Sequence, residues 1–463
     1  MIDVAIIGAG PAGYVAAIRA AQLGARVALI EKDEVGGVCL NRGCIPTKAL
    51  LESTNLATKI AKAGKYGISV DNVSTDISSM MLRKNGIVKR IVASTRHLIE
   101  SYGVEIVEGT ATIAGPREVT IVGSSSVRKI ESNNIMIATG SEPACLQVPG
   151  LEKTRIITSD DALALEDLPR SLLVIGGGSI GVEFACIFNR LGVSVTILEM
   201  MPQLLPGEDE EMTSFLQHLL EEDGVNVLTD ARVTKIEENK DGTAIVAATR
   251  NGEKTLAAEE ILVAVGRVPN SDRLGLDDIR VDERRRIIVD KRMKTSVPNI
   301  YAIGDVVGKH MLAHVASAEA IVAAENVMGA DVEIDYSVVP RCVYTSPEVA
   351  SVGLTEKQAT ASGRQITVGR FSFLNNARAL TLSEDRGGIK VVADAKSGEI
   401  LGIHMIGPEV SEMIHEAVLA IRLEATVQDV ADMIYAHPTL SEALKEAALD
   451  AAGRSIHKVR SKT

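Results

Sequence analysis

Two cysteines stand close together in Gly36-Gly37-Val38-Cys39-Leu40-Asn41-Arg42-Gly43-Cys44-Ile45-Pro46-Thr47-Lys48. With four residues between them, their sulfurs can close a small ring on oxidation, which is redox chemistry. A zinc site needs about four ligands, and no second Cys or His pair at suitable spacing lies nearby. Two buried free thiols are the plain alternative. Against that alternative stand the adjoining glycines, Lys48, and Pro46, which suits the first turn of a helix. A thiol at a helix N-terminus has a lowered pKa and more thiolate character. A second candidate lies near the other end of the chain, in Ala436-His437-Pro438-Thr439-Leu440-Ser441-Glu442. An imidazole titrates near neutrality, and a carboxylate partner stabilises its charged form. The spacing of His437 and Glu442 is not a helical contact, so they meet only through a turn. A His before Pro is equally a plain loop residue, and Ser441 equally a cap for the following helix. Cys145, Cys186 and Cys342 stand singly and are expected to be structural.

The cysteine pair follows the first of two related glycine turns. Ile6-Ile7 leads into Gly8-Ala9-Gly10-Pro11-Ala12-Gly13, and Val174-Ile175 leads into Gly176-Gly177-Gly178-Ser179-Ile180-Gly181. The copies are offset by 168 residues, and Leu23-Gly24, Val27 and Glu31 fall on Leu191-Gly192, Val195 and Glu199. Each copy predicts strand, glycine turn, helix, strand and terminal carboxylate. The first glycine permits the tight turn, the second lets backbone approach a pyrophosphate, and the third lets helix pack on strand. The helix N-terminus offers N–H groups and partial positive charge to phosphates, while the carboxylate accepts from ribose hydroxyls. One such turn is weak evidence; two in full context predict two bound dinucleotides. Glu199 repels a 2′-phosphate, and residues 200–207 contain no Arg or Lys to receive one, so the second site should prefer NAD to NADP. The glycines alone do not assign the first.

The segment around Cys39 and Cys44 resembles the redox-active disulfide of the pyridine nucleotide–disulfide oxidoreductases, which bind FAD and NAD(P)H in two related domains. Val38 departs from the family's common Thr without altering the cysteine spacing. Further matches run through nearly the whole chain in the family's order. The resemblance implies FAD contacts from Gly8, Gly10, Gly13, Glu31 and Lys48, and from Gly109, Ala111, Ala138, Thr139 and Gly140. Asp305, in Ala302-Ile303-Gly304-Asp305, would meet the ribityl chain, and Met311-Leu312-Ala313-His314 would lie beside the isoalloxazine. NAD contacts are implied for Gly176, Gly178, Ile180, Gly181, Glu183, Glu199, Val233 and Gly266, the last opening Gly266-Arg267-Val268-Pro269-Asn270.

The same resemblance implies catalytic roles. Cys39 would be attacked by a substrate thiolate and Cys44 would face the flavin. Lys48 and Glu183 would form an ion pair near it, although Glu183 is equally an ordinary helix-surface carboxylate. His437, oriented by Glu442, would be the base, reaching from one subunit to the disulfide of the other in a homodimer. The absence of arginines after the second fingerprint disfavours glutathione-type reductases, and the last cysteine, Cys342, is not part of the vicinal pair that ends mercuric reductases. Soluble transhydrogenases of this fold lack the cysteine pair. Glu199, the His437–Glu442 segment and Tyr344-Thr345-Ser346-Pro347-Glu348-Val349-Ala350-Ser351-Val352-Gly353 favour members that oxidise dihydrolipoamide on a lipoyl domain of a 2-oxoacid dehydrogenase or glycine cleavage complex. The alternatives are a related NAD(P)H-dependent disulfide or metal reductase, or a flavin-free structural subunit that binds lipoyl domains.

Composition bounds the rest. At 463 residues, with 46% hydrophobic and 24% charged side chains, the chain predicts several folded domains. A net charge of −12 argues against nucleic-acid binding, and no apolar run approaches the eighteen or so residues of a membrane span. The opening residues lack a basic stretch before the first apolar run, so a cytoplasmic location is expected. Arg454, Lys458, Arg460 and Lys462 read as a frayed, solvated tail. Ile87, Val88, Ile91, Val92, Thr95, Leu98 and Ile99 recur at helical spacing and predict a core-facing helix. Residues 135–140 and 261–266 predict strands returning to the two nucleotide-binding sheets. From about 335 the pattern changes to apolar runs at 371–374, 389–393 and 400–406, with helices near 409–422 and 441–452. The expected fold is α/β, with two Rossmann-like dinucleotide-binding domains and a C-terminal α+β dimerisation domain. Its expected boundaries are 1–150 and 271–335 for FAD, 151–270 for NAD, and 336–463 for the dimerisation domain.

Overall fold

A computed structural model describes residues 1–151, 156–239, 242–272, 274–275 and 278–459. The first unit runs β1 (Ile2–Ile7), α1 (Pro11–Gln22), β2 (Val27–Glu31), α2 (Gly37–Arg42), α3 (Cys44–Ala61), α4 (Ile77–Ser101), β3 (Glu105–Glu108), β4 (Thr110–Gly115), β5 (Glu118–Val122), β6 (Val127–Ile137) and β7 (Ser141–Pro143). Its strands lie in the order β3-β2-β1-β6-β5-β4; the first four are mutually parallel and the last two antiparallel. The second unit runs α5 (Ser159–Ala162), β8 (Ser171–Ile175), α6 (Ser179–Arg190), β9 (Ser194–Leu198), α7 (Glu210–Glu222), β10 (Asn226–Leu228), β11 (Arg232–Asn239), β12 (Gly242–Thr249), β13 (Gly252–Ala258), β14 (Glu260–Val263) and β15 (Arg267–Pro269). Here β10-β9-β8-β14 form a parallel sheet, and β11-β12-β13 an antiparallel one. The chain then returns to the first sheet, where β16 (Ile300–Ala302) pairs with β6 and α8 (Ala313–Val327) packs along α1.

The duplication extends to the hydrogen bonds. Gly8 N–H donates to Ile30 O at 2.8 Å and Gly176 N–H to Leu198 O at 2.8 Å. Both first glycines have left-handed backbones, φ +103° at Gly8 and +112° at Gly176. A Cβ on Gly13 would lie 1.8 Å from Gly8 O, and one on Gly181 would lie 1.9 Å from Gly176 O. The third glycine is therefore what lets each helix press onto its strand turn.

The last unit comprises β17 (Arg341–Val343), β18 (Glu348–Gly353), α9 (Glu356–Ala361), β19 (Ile366–Ser372), α10 (Ala377–Leu382), β20 (Gly388–Asp394), β21 (Ile400–Gly407), α11 (Val410–Arg422), α12 (Val427–Asp432) and α13 (Glu442–Ala451). Its antiparallel sheet has the order β17-β18-β21-β20-β19. One buried apolar cluster draws on all three units: Leu50 and Leu51 of α3, Phe184 and Phe188 of α6, and Val343, Val349 and Ile406 of the last sheet. No described helix is long and apolar enough to cross a membrane.

Several expectations are corrected. The helix through Ile87–Ile99 exists as part of α4, but only Lys84, Thr95 and Ile99 of that helix are buried, while Ile91 and Leu98 are exposed. Helical spacing reports a face, not what covers it, and within one protomer little of this face is covered. The 371–374 run straddles the end of β19 and a short 3-10 turn at Phe373–Asn375, and the 261–266 run leaves its strand after Val263. Ser441 makes no cap hydrogen bond; its hydroxyl engages Glu416 instead. The tail is not free up to residue 459, because Arg454 bonds Gln428 and Lys458 pairs with Asp450 at 2.7 Å. Arg460 and Lys462 lie outside the described residues.

Gly181→Ala should lower stability by about 1–3 kcal/mol in urea denaturation, as expected for overpacking a filled site. Gly178→Ala should leave it unchanged, since nothing lies within 4 Å of that position. Equal stabilities for the two variants would contradict the helix–turn contact.

Candidate active site and nucleotide cradles

The two reactive cysteines are placed by consecutive helices. Cys39 is inside α2, and Cys44 is the first residue of α3, after Gly43. Both are free, half-buried thiols with their side chains in hydrogen-bond contact. The contact polarises the pair. The Cys39 hydrogen bond lowers Cys44 to about 7, burial opposes this, and the Lys48 ammonium reinforces it. Cys39 is driven the other way, first by that shared hydrogen bond and then by burial. The sulfur at the helix start is thus the better thiolate, as its place at the positive end of a helix requires. Val38 rests a methyl against the backbone of Gly43, since a Cβ there would lie 3.2 Å from Val38 Cγ1.

Lys48 lies one turn beyond Cys44, with its Nζ 2.8 Å from Glu183 Oε2 and 4.6 Å above the Tyr344 ring. Glu183 is no surface carboxylate: its side chain is 6% exposed, and its Oε1 accepts the Tyr344 N–H at 3.0 Å. Tyr344 opens the Tyr344–Gly353 segment, but its contact with Lys48 is visible only in three dimensions. Of the single cysteines, Cys186 is buried in α6, Cys342 is half-buried in β17, and Cys145 is exposed.

The two glycine turns are shaped as cradles for dinucleotides. Neither α1 nor α6 has a side-chain cap at its N-terminus, whereas α5, α9 and α12 carry full capping boxes. Leading N–H groups are thus free of side-chain acceptors, and Gly178 faces open space. Glu31 accepts from Ala9 N–H at 2.7 Å and Asp33 N–H at 2.9 Å; Glu199 accepts from Gly177 N–H at 2.6 Å and Met201 N–H at 2.7 Å. Each carboxylate therefore braces its turn while keeping lone pairs for ribose hydroxyls. The residues fit two dinucleotides.

Around the first turn, Gly109 N–H donates to Glu31 O at 2.8 Å, and Ala111 is half-buried in β4. Ala138, Thr139 and Gly140 follow β6 and lock onto the second unit: Thr139 Oγ1 donates to Asn270 O at 2.7 Å, and Asn270 N–H to Gly140 O at 2.9 Å. The half-buried Asp305 accepts from Ser141 Oγ at 2.6 Å, and Arg267 Nε donates to that hydroxyl oxygen at 2.7 Å. Met311 and Leu312 lead into α8, where Ala313 is the first residue and His314 Nε2 meets Pro340 O at 3.0 Å. Around the second turn, Ile180 is half-buried on α6 and Gly266 is exposed with φ +118°. The Val233 side chain is buried in the core with Leu173, Ile175 and Leu198. Glu319 escaped the sequence reading. Its Oε2 accepts Gly304 N–H at 2.7 Å and its Oε1 accepts Tyr336 OH at 2.6 Å, pinning the Asp305 turn to α8. Burial raises its carboxyl against those two bonds. Glu319 is one of only two acids in the alanine-rich Ala313–Val327 helix, the other being Glu325, and that was the available signal.

His437 and Glu442 do meet. A turn through the cis His437–Pro438 bond places His437 Nδ1 2.9 Å from Glu442 Oε1, and Thr439 N–H donates to Glu442 Oε2 at 2.8 Å. Burial acts to raise the Glu442 carboxyl, but the Thr439 N–H and the His437 ring outweigh it and hold it low. The imidazole is 71% exposed, and with Nδ1 engaged its Nε2 is the nitrogen open to a substrate.

Alkylation of the reduced protein by iodoacetamide should follow Cys44 with a midpoint near 7. Lys48→Met removes a cation that favours the thiolate, so the midpoint should move upward. No movement would show that the ammonium does not act on this sulfur.

Residues 2–320 match the family model described as pyridine nucleotide-disulphide oxidoreductase, and residues 339–448 match that family's dimerisation domain. A dihydrolipoyl dehydrogenase from Bacillus subtilis is 43% identical over 461 residues, spanning 98% of this chain and 100% of its own. One from Halobacterium salinarum is 41% identical over 464 residues, spanning 98% and 97%. Among solved structures, LpdA from Mycobacterium tuberculosis superposes with TM-score 0.89 at 28% identity over 97% of this chain and 99% of its own. The HOCl-induced flavoprotein disulfide reductase RclA from Escherichia coli gives 0.87 at 30% identity over 96% and 99%. Similarity across both matched regions joins with the paired thiols and twin glycine turns: this chain belongs to the pyridine nucleotide-disulphide oxidoreductases.

Proposed function

We propose that the protein is a homodimeric dihydrolipoyl dehydrogenase that oxidises dihydrolipoamide on the lipoyl domain of a 2-oxoacid dehydrogenase or glycine cleavage complex, in the cytoplasm. As in its family, the cofactors are FAD and NAD. The observation that carries the reading is the exposed His437 held through Nδ1 by Glu442. It is a base presented outward from a dimerisation domain, and in the homodimer it faces Cys39 and Cys44 of the other subunit. Curated relatives of the same name at 40–43% identity support it.

The residues divide the work as follows. His437 Nε2 takes the proton of one substrate thiol, and Glu442 stabilises the imidazolium. The substrate thiolate attacks Cys39 Sγ of the oxidised pair; a substrate–Cys39 bond forms, the Cys39–Cys44 bond breaks, and Cys44 leaves as thiolate. A leaving group with a low pKa departs faster, which suits the lowered Cys44. The second substrate thiol then attacks the substrate sulfur of the mixed disulfide and gives its proton to Cys39 as that sulfur leaves. The cyclic disulfide is released, and the pair holds two electrons, with one proton on Cys39 and the other on His437. Lys48, held by Glu183, balances negative charge beside Cys44. FAD and NAD, when bound, would supply the hydride chemistry by which this electron pair leaves the thiols. Gly8, Gly10, Gly13, Glu31 and Asp305 would hold the FAD, and Gly176, Gly178, Gly181 and Glu199 the NAD.

The purified protein should be yellow, and anaerobic dithionite titration should take up electrons for flavin plus disulfide. Turnover of dihydrolipoamide with NAD should exceed that of glutathione disulfide or Hg(II) with NADH or NADPH. The opposite ranking would favour the related disulfide or metal reductase. His437→Ala should reduce dihydrolipoamide turnover by roughly 10²–10⁴-fold. Dilution that halves the mass in light scattering should abolish turnover, and an active monomer would refute the cross-subunit site.

A further inference from the structure

A polar row crosses the C-terminal sheet. Register pairs Arg341 of β17 with Ser351 of β18, Ser351 with His404 of β21, His404 with Lys390 of β20, and Lys390 with Arg370 of β19. Directly opposed residues share a face, so one side chain from each strand lines up across the sheet. Facing this row is the acidic run Glu208-Asp209-Glu210-Glu211, which leads into α7 of the second unit, and α7 packs on β21.

The charges match in order. Glu208 meets Arg341 Nε at 2.6 Å and accepts from the Ser351 hydroxyl. Asp209 takes both 2.9 Å and 3.0 Å contacts from Lys390 Nζ. Glu211 lies 3.0 Å from Lys390 and 2.8 Å from Arg370, and Glu356 of α9 bridges the same two cations. Lys390 and Asp209 are 4% and 2% exposed. Burial pulls the Lys390 ammonium down, but its carboxylate partners outweigh it and raise it. A buried pair of this kind contributes little net stability over an apolar packing, so its use is more readily one of positioning.

What it positions is the loop between Glu199 and Asp209. Leu205 N–H donates to Gly177 O at 2.8 Å, Leu204 packs on Gly177, and Gln203 Nε2 donates to Glu208 O at 3.2 Å. One end of the loop is therefore Glu199 in the second glycine turn, and the other is seated on the cationic row.

We infer that the row, centred on Lys390–Asp209, is a positioning device for NAD: it seats the loop after Glu199 so that the second glycine turn keeps its binding shape. The inference rests on the reading of the Glu199 turn as the NAD site. The test uses the FAD-loaded dimer. Lys390→Met/Asp209→Asn removes both buried charges while keeping a side chain that can cap α7. NAD affinity in calorimetry should fall on the order of tenfold, and amide hydrogen exchange of residues 200–208 should rise. Flavin reduction by dihydrolipoamide without NAD should keep its parental rate, which a general loosening of the fold would not allow. Arg370→Gln, at the half-exposed end of the row, leaves the buried centre intact and should give a smaller loss of the same kind. Glu199→Ala serves as the control. If it weakens NAD binding while both row variants bind as the parent does, the proposal alone is overturned. If all three bind as the parent does, the NAD reading of the turn falls with it. Slowed flavin reduction in step with the weakened binding also overturns it.

Discussion

The carboxylate of Glu183 is the point at which three units of the chain meet. It rises from the helix after the second glycine turn, receives Lys48 from the helix that begins with Cys44, and accepts the backbone N–H of Tyr344 from the last unit. A carboxylate this buried is tolerable only when paired and hydrogen-bonded, so these contacts constrain one another. The redox pair, the nucleotide cradle and the dimerisation domain thereby share one registration. The apolar cluster of Leu50, Phe184, Phe188, Val343 and Ile406 packs the same junction and supplies its cohesion without direction.

Around that junction the site is made of asymmetries. Two cysteines of one kind acquire opposite character because Cys39 donates to Cys44 in the hydrogen bond they share and only Cys44 begins a helix. The imidazole of His437 is anchored by one nitrogen and exposes the other. The duplicated turns use one set of hydrogen bonds twice, yet only the first is followed by the cysteine helices, and only the second has its loop seated on a sheet of another unit. A repeat thus becomes two different cradles through what is attached to it.

Much of this was legible in the residues alone, wherever the governing physics is local. Glycine at positions 8, 13, 176 and 181 is demanded by left-handed backbone or by a carbonyl too close for any Cβ, and such demands repeat with the spacing that causes them. The spacing of Cys39 and Cys44 places one sulfur at the start of a helix and the other just before it, so their partnership is visible from the chain. His437 and Glu442 were nameable as candidates, although their meeting required a turn.

The rest was decided by contacts between residues far apart in sequence. The exposure of Ile91 and Leu98 on α4 could not be read from helical spacing, because spacing defines a face and only neighbours decide whether it is covered. Glu319 takes its importance from Gly304 and Tyr336, and Glu183 from Lys48 and Tyr344. The row from Arg341 to Arg370 has no sequence period, since it is assembled by strand register across five separate segments. Local sterics and hydrogen bonding act within a turn of chain and leave their mark on its spelling. Pairings over hundreds of residues depend on how packed units meet, and that is settled only when the whole molecule folds.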